Sequence, residues 1–214
     1  MPGPHDKIIA EAAKAALRPL GFQRKGRSRT WLADHGWWLT VVEFQPSAWS
    51  KGSYLNVAAH WLWSATGHLS FDFGNRVAKF VEYDSDDQFV PAAVRLADLA
   101  AQEAQQLAHT FASPSATADV LLNEVRRTHE SGQGSWMTYN AGVAAALAGR
   151  GDEAAEVFSR SLQGSDGETD LLSRAAERMA PLAGEASAIR GEVAALIARQ
   201  REALRLPALD CPPV

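Results

Sequence analysis

Cysteine is almost missing from this chain. Its one copy, Cys211, lies in a proline-flanked tail, so no disulfide framework and no cysteine metal cluster can form within one chain. Long apolar runs are missing as well. No stretch approaches the roughly 20 residues a membrane-spanning helix needs, and no membrane partner is expected. Met1-Pro2-Gly3-Pro4-His5-Asp6 has neither the basic nor the apolar region of a secretory signal. A cytoplasmic protein is the expectation.

The signatures of several chemistries are absent too. There is no Gly-x-x-x-x-Gly-Lys loop and no Gly-x-Gly-x-x-Gly after a strand; Gly132-Gln133-Gly134 reads as an interhelix loop. There is no Gly-x-Ser-x-Gly elbow. Ser47, His60 and Asp72 could act as nucleophile, base and orienter only if folding joined them, and nothing in their spacing does so. The histidines at 5, 35, 60, 68, 109 and 129 form no His-x-x-x-His pair and no Glu-x-x-His unit. Asp84, Asp86 and Asp87 lack the glycine and closing Glu of a calcium loop and read as a turn and helix cap. No catalytic residue, metal or cofactor is expected, and the reading leans away from an enzyme.

What remains is the material of a packed protein. Hydrophobic residues make up 46% and charged residues 21%, values that exclude a disordered chain. Seven Trp and eight Phe supply bulky core side chains. Charge is unevenly placed: residues 1–80 hold 10 Lys and Arg against 5 Asp and Glu, a net +5, whereas residues 81–214 hold 11 against 20, a net −9. Such asymmetry points to different partners for the two halves, or to a contact between them within or between chains.

Apolar periodicity predicts a first helix over 6–20, with Ile8, Ile9, Ala12, Ala13, Ala16 and Leu17 at helical spacing. Strand-like runs follow at 22–33, 37–45, 54–63 and 68–73, separated by Asp34-His35-Gly36, the loop 46–53 and Thr66-Gly67. A long helix opens at Asp86 and Asp87 with Pro91 in its first turn. Its apolar stripe is Val90, Val94, Ala97, Ala101, Ala104, Ala108 and Phe111, expected to cover the sheet face that the first helix leaves open. Ser113-Pro114 starts another helix in the cap-then-proline order, and Gly132 stops it. Helices are expected at about 135–148, 152–163, 168–180 and 185–205, punctuated by Gly149, Gly164 and Gly167. The fold class is therefore α+β: an antiparallel meander of about four strands packed with two helices over 1–112, an all-helical hairpin region over 113–206 and a flexible tail at 207–214.

Residues 10–110 carry a family resemblance. Leu17-Arg18-Pro19-Leu20-Gly21-Phe22-Gln23-Arg24-Lys25-Gly26-Arg27, then Trp31, Gln45-Pro46-Ser47-Ala48-Trp49 and Tyr54-Leu55-Asn56-Val57, resemble the domain-of-unknown-function 4304 family in order and spacing. The resemblance implies an α/β domain and supplies no catalytic residues. Further on, Tyr139-Asn140-x-Gly142, Gly149, Asp152-Glu153-Ala154, Phe158 and Leu162 resemble one tetratricopeptide repeat, with Thr138 and Ala145 departing from its pattern. That resemblance implies a close helical hairpin, which either completes the fold or presents a peptide-binding surface.

Two groups of residues could bind a ligand. Lys25, Arg27 and Arg29 alternate on a predicted strand and would share one face, with Arg24 on the other. Basic residues among tryptophans suit phosphate contact and base stacking; the plainer alternative is a solvated sheet face. Gln45, Ser47 and Trp49 lie on a loop beside Asn56, offering amides, a hydroxyl and a flat apolar wall. The alternative there is that Ser47 caps a turn and Trp49 plugs the sheet edge. The leading functional expectation is a non-catalytic module that binds a protein partner, by neutralising or chaperoning it. An enzyme with a site around Arg24, Lys25, Gln45, Ser47 and Asn56, and a single-stranded nucleic-acid binder using Lys25, Arg27 and Arg29, stand behind it. Oligomeric state is left open.

Overall fold

The computed structural model describes residues 3–64, 66–128, 135–162, 169–209 and 214. Described residues of 1–60 and 70–109 form one compact unit, and those of 61–69 and 110–214 a second. Gly132, Gly164, Gly167 and residues 210–213 of the expected tail, Cys211 among them, lie outside the described residues.

In the first unit, α1 (Pro4–Leu17) ends in a short 3-10 turn at Arg18–Leu20. Five strands follow: β1 (Gln23–Arg24), β2 (Thr30–Asp34), β3 (Trp38–Glu43), β4 (Gly52–Trp61) and β5 (Phe73–Glu82), and then α2 (Asp86–Thr110). The strands lie in the order β1-β2-β3-β4-β5. Trp31 faces Val42, and Asn56 faces Arg76. The architecture is α+β with an antiparallel sheet, as the alternating runs and turn residues predict. The Asp34-His35-Gly36 turn forms between β2 and β3, with the Gly36 amide donating to Asp34 Oδ1 at 2.9 Å.

Three details differ from expectation. The last strand is 73–82 rather than 68–73, and the run expected at 22–33 forms two strands, β1 and β2, so the sheet has five strands. β5 is half-exposed along its length because it sits at the sheet edge, where polar residues such as Arg76 and Lys79 are tolerated. Second, α1 and α2 share one core instead of covering opposite faces: Ile9, Ala13 and Leu17 of α1 meet Phe89, Leu96 and Ala100 of α2 and the inward residues Trp31, Val42 and Leu55. Third, the buried stripe of α2 is Phe89, Ala93, Leu96, Ala97, Ala100 and Ala104, while Val90 and Val94 are exposed. In an alanine-rich helix the few large side chains, Phe89 and Leu96, decide which face turns inward. Pro91 lies inside α2, beyond its first turn.

The second unit holds α3 (Pro114–Arg127), α4 (Trp136–Leu147), α5 (Gly151–Ser161), α6 (Thr169–Met179) and α7 (Ala186–Leu204), close to the expected ranges. Ser113 and Ser135 cap α3 and α4 by accepting from the amides of Ala116 and Thr138, which satisfies an orphan donor at each start. Every residue of α4 from Thr138 to Leu147 is buried, as an all-round apolar helix must be. It packs against α3, α5, α6 and α7. α5 comes close because Gly142 has no side chain: a Cβ there would lie 2.6–2.9 Å from the Phe158 ring. Asn140 is a buried polar residue of this core. Its Oδ1 accepts from Trp63 Nε1 at 2.9 Å and Ser64 Oγ at 3.3 Å.

Candidate functional site

The expected basic ladder does not exist as a strand face. β1 ends at Arg24, and Gly26 at φ +56° turns the chain, so Lys25, Arg27 and Arg29 do not alternate along extended backbone. Arg24 spends its guanidinium on its own hairpin, donating from Nε to the Ser28 carbonyl at 2.6 Å and from Nη2 to the Arg27 carbonyl at 3.2 Å. Lys25 and Arg27 are exposed on the turn. Arg29 is turned inward: it donates from Nε to Asp6 Oδ1 at 2.8 Å, from Nη2 to the same carboxylate, and from Nη1 to the Gly52 carbonyl at 3.0 Å. It ties α1, β2 and β4 together.

That ion pair has a pH signature. Burial alone would raise the Asp6 pKa, but hydrogen bonds from Arg29 and the Gly3 amide, with the Arg29 charge, outweigh it and leave the carboxyl below its ordinary value. A depressed native pKa means the stabilisation is complete above the unfolded-state pKa, about 4, and is lost as pH falls through the native value. Asp6→Asn is expected to lose roughly 1–3 kcal/mol at neutral pH. In urea melts the gap to the parent should close below about pH 4; a gap unchanged at acid pH would reject this assignment.

Gln45 and Asn56 do come together, on the outer face of the sheet. Asn56 Nδ2 donates to Glu43 Oε2 and Gln45 Oε1, both at 3.0 Å. Arg76 Nη2 donates to Gln45 Oε1 at 2.9 Å, and its guanidinium lies 3.9 Å over the Tyr54 ring. Ser47 caps its turn by accepting from the amides of Trp49 at 3.1 Å and Ser50 at 3.4 Å. Trp49 does not plug the edge; it is 95% exposed. Arg24 and Lys25 lie at the β1 end of the sheet, three strands from β4, or about 14 Å at the usual strand spacing. The five residues therefore do not converge in one cleft.

His60 and Asp72 meet, with Ser70 rather than Ser47. Both Ser70 Oγ, at 2.8 Å, and Asp72 Oδ2, at 3.1 Å, address His60 Nδ1, and Ser70 Oγ donates to Asp72 Oδ1 at 2.7 Å. A relay needs its hydroxyl and carboxylate on opposite ring nitrogens. This half-buried cluster instead pins the segment before β5 to β4.

A concave site appears in the second unit, where the sequence reading named Tyr139 only as part of the repeat-like hairpin and no residue as a ligand contact. A cavity of about 330 Å³ opens between α4, α6 and α7. Its aromatic wall is Trp136 and Tyr139, packed edge-to-face with ring centroids 5.4 Å apart. From α6 come Leu171, Arg174, Ala175 and Arg178, at the i, i+3, i+4, i+7 spacing of one helix face. Leu196 and Arg199 come from α7, and Ser64 and Thr66 complete the lining. Glu192 Oε1 lies 3.4 Å from Arg178 Nη1 and 3.6 Å from Arg199 Nη2. Both arginine side chains stay more than half exposed. Burial raises the Tyr139 pKa far above its ordinary value, the Glu192 charge adding to the effect and Arg178 and Arg199 opposing it. The phenol is thus a neutral wall and not a base. Arg178 and Arg199 share the Glu192 carboxylate, and Arg174 lines the cavity one turn before Arg178 on α6. Leu171 stands on the rim, 68% exposed. The arrangement sets polar and charged groups beside aromatic and aliphatic surface in one open cavity.

The first unit, a five-stranded antiparallel sheet with two helices sharing one core, defines an α+β domain. The family model described as "Domain of unknown function (DUF4304)" matches residues 13–127, more than half of the chain, and the chain belongs to that family. No curated protein and no solved structure matches it. No described helix is long and apolar enough to cross a membrane, and among the described residues no cluster of three or more metal-ligating side chains occurs.

Proposed function

We propose that this chain is a non-catalytic binding protein that holds a protein partner in the cavity between α4, α6 and α7, and so neutralises or chaperones it. The observation that carries the reading is the open, arginine-lined cavity with an aromatic wall and an exposed leucine at its rim. Interface hot spots favour this mixture of Arg, Trp and Tyr. The close hairpin of α4 and α5, packed through Gly142 and Phe158, resembles a tetratricopeptide unit and supports a peptide-holding role. The sheet face with Gln45, Asn56 and Arg76 is less suited to a ligand, because its polar groups already satisfy one another.

Filling the cavity tests the reading. Immobilised full-length chain should retain a defined set of proteins from native extract. Ala175→Trp, checked for an unchanged melt, should lose that set, whereas Arg127→Glu on the exposed face of α3 should keep it. An identical set on the filled variant, or nothing retained by the parent, would reject the cavity as the seat of binding.

A further inference from the structure

We infer that the loop end of the sheet in the first unit is a contact site for a short stretch of single-stranded nucleic acid, with a base stacked on Trp49 and phosphates on the basic residues around it. Two loops meet there. The turn between β1 and β2 carries Lys25 and Arg27, and the loop between β3 and β4 carries Trp49 and Lys51. Arg29 is the tie between them: its carbonyl accepts from the Phe44 amide at 3.1 Å, and its Nη1 donates to the Gly52 carbonyl at 3.0 Å. Each loop is also held from within. Ser28 Oγ donates to the Lys25 carbonyl at 2.7 Å, and Ser47 fixes the turn that carries Trp49. The indole is thus 95% exposed on a held backbone, so a ligand is spared the cost of ordering the loop.

The charges around Trp49 are not spent on carboxylates. Arg24 gives its guanidinium to carbonyl oxygens of its own turn, and Arg76 gives its to the side-chain oxygens of Gln45 and Asn56 at the root of the Trp49 loop. Lys25 and Arg27 are exposed and form no ion pair among the described residues. Against these cations stands Glu43, which accepts from Asn56 at 3.0 Å. Lys51 adds no excess: the Tyr83 amide donates to its carbonyl, which brings Glu82 and Asp84 beside it. A net charge of −4 for the whole chain does not suit a long polyanion, so the footprint is short, about two or three phosphates. An exposed Trp can also anchor a protein, but such anchors work inside a surround that excludes water. Trp49 is flanked by Ser47, Ala48, Ser50 and Lys51, which supply none. A base needs only the flat ring face, and stacking tolerates any base.

The probes are fluorescein-labelled oligothymidine and oligouridine of about eight nucleotides, titrated with the full chain at about 50 mM salt, where charges are weakly screened, and read by anisotropy. Both should bind, with log K falling against log salt at a slope of about −1.5 to −2. Trp49→Ala should weaken binding by roughly fivefold to a hundredfold, and Trp49→Phe should recover part of the loss. Lys25→Gln with Arg27→Gln should weaken binding and make the salt slope shallower by about 1.4, whereas Arg127→Gln should change neither. These side chains are exposed, so each variant should melt as the parent does. An oligonucleotide of abasic sites, which keeps the phosphates and lacks the bases, should bind the parent and Trp49→Ala equally. No binding at low salt, undiminished binding by Trp49→Ala, equal affinity for a duplex of the same length, or displacement of the oligonucleotide by polyglutamate at an equal concentration of charge would overturn the inference.

Discussion

Gly142→Val is expected to destabilise the helical unit by more than about 3 kcal/mol. Helix propensity alone makes a different forecast, since replacing a mid-helix glycine generally helps, by about 1 kcal/mol in the case of alanine. Packing overrides it. The first carbon of any side chain at 142 would lie 2.6, 2.8 and 2.9 Å from three atoms of the Phe158 ring. That ring is fully buried and touches Tyr139, at a centroid distance of 6.1 Å, so it has nowhere to retreat. Against a typical total of about 5–15 kcal/mol, the loss should appear as a large drop in melting temperature by far-UV circular dichroism. Phe158→Leu in the Gly142→Val background should recover part of the loss, although alone it removes buried surface. Strictly additive effects would show that the two residues do not press on each other.

Gly74→Val should have an effect of similar size in the first unit, for a backbone reason. Gly74 sits at φ +136°, a conformation that side-chain-bearing residues rarely adopt. A Cβ there would lie 2.3 Å from the Val57 carbonyl oxygen and 2.6 Å from the Ala58 Cα. These are atoms of the neighbouring strand, so relief requires β5 to move away from β4. A loss above about 3 kcal/mol is expected. Hydrogen exchange should localise it, with amides of β5 and the facing part of β4 losing protection before those of β2 and β3. Protection lost evenly across the sheet would argue against a local separation of the edge strand.

Local chemistry made the helices of the second half legible. Ser113-Pro114 marks the start of α3, and the small residues Gly142 and Ala154 mark a close pair. β5 was hidden because Gly74, Asn75, Arg76 and Lys79 break the alternation that a half-buried strand shows; edge position lets such a sequence pair. The face of α2 was misplaced because alanines at many spacings offer overlapping stripes, and only contact with Trp31 and Leu55 selects the one carrying Phe89 and Leu96. Arg29 looked like a surface charge, and its partner Asp6 is 23 residues away. The cavity escaped notice for a related reason. Its lining comes from three helices and a turn, and the acidic average of residues 81–214 concealed a local basic cluster. The one available signal was Leu171-Arg174-Ala175-Arg178, a helix face with two arginines where a solvated face would more often mix signs.

Residues 61–69 belong with the second unit although residues 52–60 and 73–82 pair within the first. The chain therefore changes unit three times, after His60, after Leu69 and after His109. No single cut separates the two units into contiguous pieces. A fragment ending near residue 112 would carry Trp63 and Ser64 without Asn140, their acceptor on α4, and a fragment starting there would lack Gly67, whose amide donates to Gln200 at 2.8 Å. Dissection by truncation is thus expected to give insoluble halves, so the two units have to be expressed as one piece to be studied.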